Sequence, residues 1–283
     1  MKRLLHRGGD APSELSLRVG TAVLGVTVLI LLIAFGGWLG ICLLTAALSL
    51  GMVDEFTRLV YTGEDRLEKR YALLIISWLV SFFNFFMPRS EYELLIFFFL
   101  ALFVWFLRTA KGRPEKELLH HFHELQFSIF GLIYLVFVPL FLPRLQAMPY
   151  GPHWVMLFFL IVWAGDTLAY FVGKKYGKRK LYSDISPKKS VEGGLGGLAG
   201  GVIVALLYKL IFFAALPWAG VIVIPVLVGV YEQVGDFCES FLKRAYGVKD
   251  SGNLLPGHGG VLDRFDGVVF SLPVMYACAR IFT

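Results

Sequence analysis

The chain has 283 residues, of which 57% are hydrophobic and 17% charged, and its mean hydropathy is +0.68. A water-soluble domain needs a larger polar share to cover its surface, so this balance excludes an ordinary soluble globular protein. The net charge of +6 is the sign that loops beside anionic lipid headgroups require, and no nucleic-acid partner is read from it.

Apolar runs long enough to cross a hydrocarbon layer, about 20 residues as helix, recur along the chain. Nine are predicted, near 19–36, 38–55, 71–88, 92–108, 125–143, 153–173, 194–214, 217–239 and 266–282. The fold class is therefore all-α, a polytopic helical membrane protein of about nine transmembrane helices. A charged tail without an A-x-A cleavage pattern precedes the first run, which is read as a retained anchor. The tail, the loops after the second, fourth, sixth and eighth spans, and Arg108 at the last position of the fourth span carry 23 of the 27 Lys and Arg. The opposite side receives Arg89, Arg144 and Arg280, and Lys209 lies near the outer end of the seventh span. This asymmetry predicts a cytoplasmic N-terminus and an extracytoplasmic C-terminus. Two regions are expected: an N-terminal membrane region, 1–125, and a C-terminal region with the polar loops, 126–283. Cys42, Cys238 and Cys278 fall within predicted spans and are expected to be small buried hydrophobes.

The first four spans are almost purely apolar. Asp54 and Glu55 end the second and are read as interfacial acids, with Glu55 facing an active cavity as the alternative. The stretch EKELLHHFHELQF, 115–127, alternates charge and apolar residues at near-helical spacing and is expected to lie in the membrane interface. His120, His121 and His123 stand at i, i+1 and i+3, which does not converge three imidazoles on one ion.

The sixth span ends WAGDTLAYFVGKKYGKRK. Asp166 lies about two turns inside the membrane, where an ionisable group is costly and usually functional. Tyr170 shares its face. Next comes SPKKSVEGGLGGLAGG, residues 186–201, with Ser186, Lys188, Lys189 and Ser190 ahead of a helix start. Two point charges, a hydroxyl and free backbone amides suit a phosphate cradle; the alternative is topogenic charge followed by a glycine packing surface. The eighth span ends YEQVGDFCESFLKR, where Glu232, Asp236, Glu239 and Lys243 form one helical face that must line a wet cavity or contact partner helices. A polar knot follows, KDSGNLLPGHGGVLDRFDG. Carboxylates at the ends of two spans can jointly hold a hard cation such as Mg²⁺, while Lys and Arg neutralise phosphate charge.

Ser240 to Asp266, SFLKRAYGVKDSGNLLPGHGGVLDRFD, resembles the signature of phosphatidate cytidylyltransferases, also called CDP-diacylglycerol synthases. The matching positions are Ser240, Lys243, Arg244, Lys249, Asp250, Gly252, His258, Gly259, Gly260, Asp263, Arg264 and Asp266. GDTLAYFVGKKYGK and SPKKSVEGG upstream resemble the family in order and spacing, so the motifs cover roughly 160–270. The resemblance implies transfer of CMP from CTP to phosphatidate with Mg²⁺ required, at the cytoplasmic face of a bacterial inner membrane. It implies Asp236 and Asp263 as metal ligands, triphosphate contacts from Lys188, Lys189 and Ser190, and phosphate neutralisation by Lys243, Arg244, Lys249 and Arg264. Asp166, Asp250, His258 and Asp266 are site residues whose individual roles stay open, and Ser186, Tyr170, Ser240, Gly259 and Gly260 are expected to contact substrate. Membrane lipids are expected partners, and a homodimer is an open option. The rival readings are a CTP-dependent polyprenol kinase, which would release CDP, and an ion-coupled transporter. The clustering of polar groups at one membrane face argues against the transporter.

Overall fold

A computed structural model describes residues 14–87, 90–255 and 259–283. His258, Arg89 and most of the basic N-terminal tail lie outside the described residues. The helices are α1 (Glu14–Ala34), α2 (Gly37–Val60), α3 (Arg66–Phe86), α4 (Glu91–Ala110), α5 (Glu115–Gly131), α6 (Phe141–Gln146), α7 (Gly151–Tyr176), α8 (Val191–Ile211), α9 (Trp218–Ala245) and α10 (Leu262–Phe282). Among the described residues, eight helical stretches are long and apolar enough to cross a membrane, and α1 adds a shorter apolar run, Val23–Ala34. These nine stand where the hydropathy places nine spans. The turn joining α1 to α2 is tight: Gly37 sits at φ +54°, and a Cβ on Gly36 would lie 2.7 Å from the Leu32 carbonyl oxygen. Only glycine takes both demands without strain.

The stretch 115–127, expected in the membrane interface, is not set apart as a helix of its own. That stretch opens a continuous helical run, Glu115–Gln146. Leu132–Phe137 is π-helix and Val138–Leu140 is 3₁₀, and only then does α6 resume the α form. Pro139 supplies the reason, because it lacks an amide and its ring crowds the preceding turn, so the ladder is rebuilt in wider and tighter registers.

A second departure is a two-stranded antiparallel hairpin, β1 (Lys180–Tyr182) with β2 (Ser186–Ser190), between α7 and α8. The SPKKS segment is thus a strand that returns the chain to the end of α7. Helices α7 and α8 approach closely along glycines: a Cβ on Gly197 would lie 3.0 Å from Gly165 O, and one on Gly200 would lie 2.8 Å from Ala164 O. Small residues let backbones meet in this way where no hydrophobic drive separates helix from lipid. The packing reading of the glycine run is the one the geometry supports.

Two apolar cores result. One gathers Trp154, Phe158 and Leu157 of α7 with Ile224 of α9 and Met275 of α10. The other gathers Met52, Val53 and Phe56 of α2 with Leu73, Leu102, Leu132 and Leu262. Helix α10 contributes to both. Cys42 and Cys278 are buried as expected, but Cys238, which lies off the acidic stripe of α9, is exposed.

Candidate active site

The site forms where the cytoplasmic ends expected for α7, α8 and α9 meet. Asp166 and Tyr170, one helical turn apart on α7, line a cavity of about 480 Å³ together with Lys188, Lys189, Ser190 and Glu232. Its glycine-rich wall comes from α8 and its apolar floor includes Ile161 and Pro225. Six residues singled out in three separated motifs therefore border one space.

The hairpin sets the lysines. Pairing of Lys180 with Ser190 and of Tyr182 with Ser186 brings β2 back beside the end of α7. Ser190 then caps α8, its Oγ accepting from Gly193 N at 3.1 Å. Glu192, in the first turn of α8, accepts from the amides of Lys178 (3.0 Å) and Arg179 (3.2 Å) and holds the chain leaving α7. With the strand so fixed, Lys189 reaches across to Asp236 of α9 and forms an ion pair, its Nζ 4.9 Å from the Phe237 ring centre. Lys188 is exposed at the cavity rim. Ser186 begins β2, at the opposite end of the strand from the capping Ser190.

The acidic stripe of α9 does face inward. Glu232 and Glu239 are buried. Asp166, Glu232 and Asp236 interact electrostatically with one another and with Lys189, and Asp266 of α10 interacts with Glu232 and Asp236. Arg264 interacts with Asp166. Four carboxylates thus converge around the Lys189 ammonium and the Arg264 guanidinium, with the Lys243 ammonium also acting on Asp266. Such an arrangement is costly in a low-dielectric surround unless cations enter it.

Beside it lies a second cluster. Lys243 Nζ is 2.5 Å from Glu239 Oε2 and 2.7 Å from Asp263 Oδ1. Asp263 also accepts from the Ser251 amide (3.0 Å at Oδ2) and the Gly260 amide (2.9 Å). Gly259, at φ +86°, makes the turn that aims the Gly260 amide at it, with Leu255 N donating to Gly259 O at 2.9 Å. Asp266 is buried, its Oδ1 taking the Gly267 amide at 2.8 Å, and Tyr134 of the π-helix donates to its backbone carbonyl at 2.9 Å. Ser240 Oγ lies 3.4 Å from Asp236 Oδ1.

Other candidates stay at the edge. Arg244 donates to Val248 O at 3.4 Å and is exposed, as are Lys249 and Asp250. The three histidines of α5 go separate ways: His121 is buried against Phe106 O at 3.0 Å, His123 faces Gln126 at 2.9 Å, and His120 is exposed.

One participant is more than the interfacial acid that sequence reasoning favoured. Glu55 of α2 is 1% exposed and accepts from Val261 N (3.0 Å), Leu262 N (2.9 Å) and Ser251 Oγ (3.2 Å). Ser251 and Tyr134 drew no attention in the sequence. The faint signal was a carboxylate on an apolar span whose polar partners were missing from its own neighbourhood.

Asp236 and Asp263, implied as metal ligands, are held by different ammonium groups, Lys189 and Lys243. No three of His, Cys, Asp and Glu among the described residues form a ready metal-holding group. The donor chemistry nonetheless fits a hard divalent cation, because carboxylate oxygens outnumber cations where Asp166, Glu232, Asp236 and Asp266 converge.

Residues 16–282 match the family model described as "Cytidylyltransferase family". A phosphatidate cytidylyltransferase of Brucella abortus is 34% identical over 275 residues, 95% of each chain. The enzyme of that name from Bacillus subtilis is 44% identical over 134 residues, 47% of this chain and 50% of the relative. The one from Staphylococcus aureus is 47% identical over 127 residues, 44% of this chain and 48% of the relative. With these last two, the match spans about half of the relative's length.

Proposed function

This chain belongs to the cytidylyltransferase family, and from that premise we propose that it transfers CMP from CTP to phosphatidate, giving CDP-diacylglycerol and pyrophosphate. A phosphatidate oxygen attacks the α-phosphorus of CTP, and the bond from that phosphorus to the bridging oxygen of the β-phosphate breaks. A phosphomonoester has a second pKa near about 6, so the nucleophile is largely dianionic at neutral pH and needs no strong base. The obstacle is repulsion between two polyanions, which fixed positive charge and in-line positioning relieve.

The single observation that carries the reading is the cavity that Lys188 and Lys189, at the end of β2, line together with Asp166 and Glu232. Lys188 stands at its rim for the triphosphate. Lys189 exchanges Asp236 for a phosphate oxygen as substrate enters. Lys243, paired with Glu239 and Asp263, and Arg264, which acts on Asp166, neutralise the lipid phosphate or the departing pyrophosphate. Arg244 and Lys249, exposed on the loop, extend that field toward the membrane surface. Mg²⁺, when bound, supplies charge neutralisation on the phosphates. Asp236 would hold it with Asp166, Glu232 or Asp266 beside it, and Asp263 would join after yielding Lys243.

The apolar helices mark an integral membrane protein. The bacterial relatives support a bacterial cytoplasmic membrane, and the loop charge asymmetry supports a site on its cytoplasmic side. The test is purified protein with CTP, phosphatidate and Mg²⁺, following pyrophosphate and lipid-linked CMP. Appearance of both, each dependent on phosphatidate, is the expected result. Release of CDP with phosphorylation of an alcohol would overturn it.

A further inference from the structure

We propose that Glu55 is a positioning residue: its carboxylate ties Ser251 to the first turn of α10 and so sets the placement of Asp263 and Asp266. The inference rests on the transfer reaction proposed above. Glu55 comes from α2, in the half of the chain that carries none of the motifs. The Val261 and Leu262 amides it accepts at 3.0 and 2.9 Å belong to the first turn of α10, where amides have no partner within the helix. A carboxylate there also meets the positive end of the helix dipole. The N-terminus of α10 is thus filled by the protein's own anion.

Ser251 makes the arrangement a clasp. Its hydroxyl donates to Glu55 at 3.2 Å while its amide donates to Asp263 at 3.0 Å. The two ends of the loop are therefore pinned by two carboxylates, one from α2 and one from α10. The glycines of the loop fit this directly: a Cβ on Gly252 would lie 2.5 Å from Glu55 Oε1, and one on Gly260 would collide with both Glu55 and Ser251. Asp263 follows Leu262 in the chain, so release of the Leu262 amide frees the turn that aims Asp263 at Lys243. Neighbours of Glu55 on α2, namely Met52, Val53 and Phe56, are fully buried in an apolar core. That packing keeps α2 in place when the carboxylate is altered.

The experiment compares wild type, Glu55→Gln, Glu55→Asp and Ser251→Ala as full chains in lipid nanodiscs, by amide hydrogen exchange over 249–262 and by steady-state kinetics. Gln offers one acceptor oxygen and turns an NH₂ toward donors, so exchange of the segment should rise by about tenfold or more. Turnover should fall about ten- to hundredfold, the cost of a small misplacement of catalytic groups. KM for CTP and phosphatidate should stay within about threefold. Glu55→Asp should recover part of both effects, and Ser251→Ala should show smaller changes of the same sign, which also serves if Glu55→Gln does not fold. Unchanged exchange in a folded Glu55→Gln or Ser251→Ala variant overturns the clasp. Raised exchange with wild-type turnover overturns the positioning role. Wild-type protein that makes no CDP-diacylglycerol overturns the reaction, whatever the exchange shows.

Discussion

Lys243 Nζ lies 2.7 Å from Asp263 Oδ1, joining the last turns of α9 to the first turn of α10 inside the signature stretch. The same ammonium also holds Glu239, while the two Asp263 oxygens collect the Ser251 and Gly260 amides as well. Asp263 is thus a structural hub in addition to a candidate ligand. Asp236 differs: it is 31% exposed and its partners are Lys189 and, at 3.4 Å, Ser240.

The contrast predicts different costs for the same substitution. Asp263→Asn breaks a largely buried ion pair and turns an amide NH₂ toward donors, so stability should drop by about 3 kcal/mol. Asp236→Asn should cost about 1 kcal/mol or less, as partly exposed pairs do. Both should lose turnover. Thermal melting in detergent alongside pyrophosphate release makes the comparison, and near-normal turnover in Asp236→Asn would remove that residue from the site.

Replacing Lys188 and Lys189 together by Arg separates phosphate binding from topogenic charge. Arg serves membrane topology equally well, but its planar fork does not match oxygens placed for a compact ammonium. Lys189 is the more constrained, lodged between Asp236 and the Phe237 ring. The double variant should lose about tenfold in kcat/KM for CTP, with most of the loss reproduced by Lys189→Arg alone. Kinetics equal to wild type in a correctly inserted double variant would leave only topology to these lysines.

What the sequence revealed and what it hid divide along physical lines. The nine spans were legible because hydropathy is local and the bilayer demands a fixed length. The inward stripe Glu232–Asp236–Glu239–Lys243 was legible because helical periodicity is local too. The hairpin was not, since Pro187 and the charged residues around it are poor strand formers; closure between the ends of α7 and α8 imposes it. The interruption near Pro139 was hidden because the apolar run continues through it unchanged. Glu55 was underread because its partners lie 196 to 207 positions away, a separation no spacing rule reaches.

Topology gives a third test. The loop charges predict that a reporter fused after Thr283 is extracytoplasmic and one inserted within 174–193 is cytoplasmic. Alkaline phosphatase and fluorescent-protein fusions, active on opposite sides, provide the readout. Finding both sites on one side would remove the nine-span arrangement.

The closest approach of α9 and α10 supplies the fourth. A Cβ on Gly267 would lie 2.9 Å from both the carbonyl oxygen and Oε1 of Glu232, and one on Gly235 would lie 2.5 Å from Phe270 Cβ and 3.0 Å from Gly267 Cα. Each of these glycines neighbours a site carboxylate, Asp266 in one case and Asp236 in the other. In an uncrowded helix, Gly→Ala gains up to about 1 kcal/mol from propensity. Here the added methyl must push Glu232 or the α10 backbone aside, an overpacking that costs about 1–3 kcal/mol, so the sign reverses. Gly267→Ala should therefore melt lower and turn over more slowly, because the displaced group is a carboxylate lining the cavity. Gly25→Ala in α1, where nothing lies within 4 Å of the new atom, should leave turnover unchanged and melt at or slightly above wild type. Melting and turnover of the two variants, measured side by side in the same detergent, decide it: a Gly267→Ala protein matching wild type in both would mean that the two helices do not meet at these glycines.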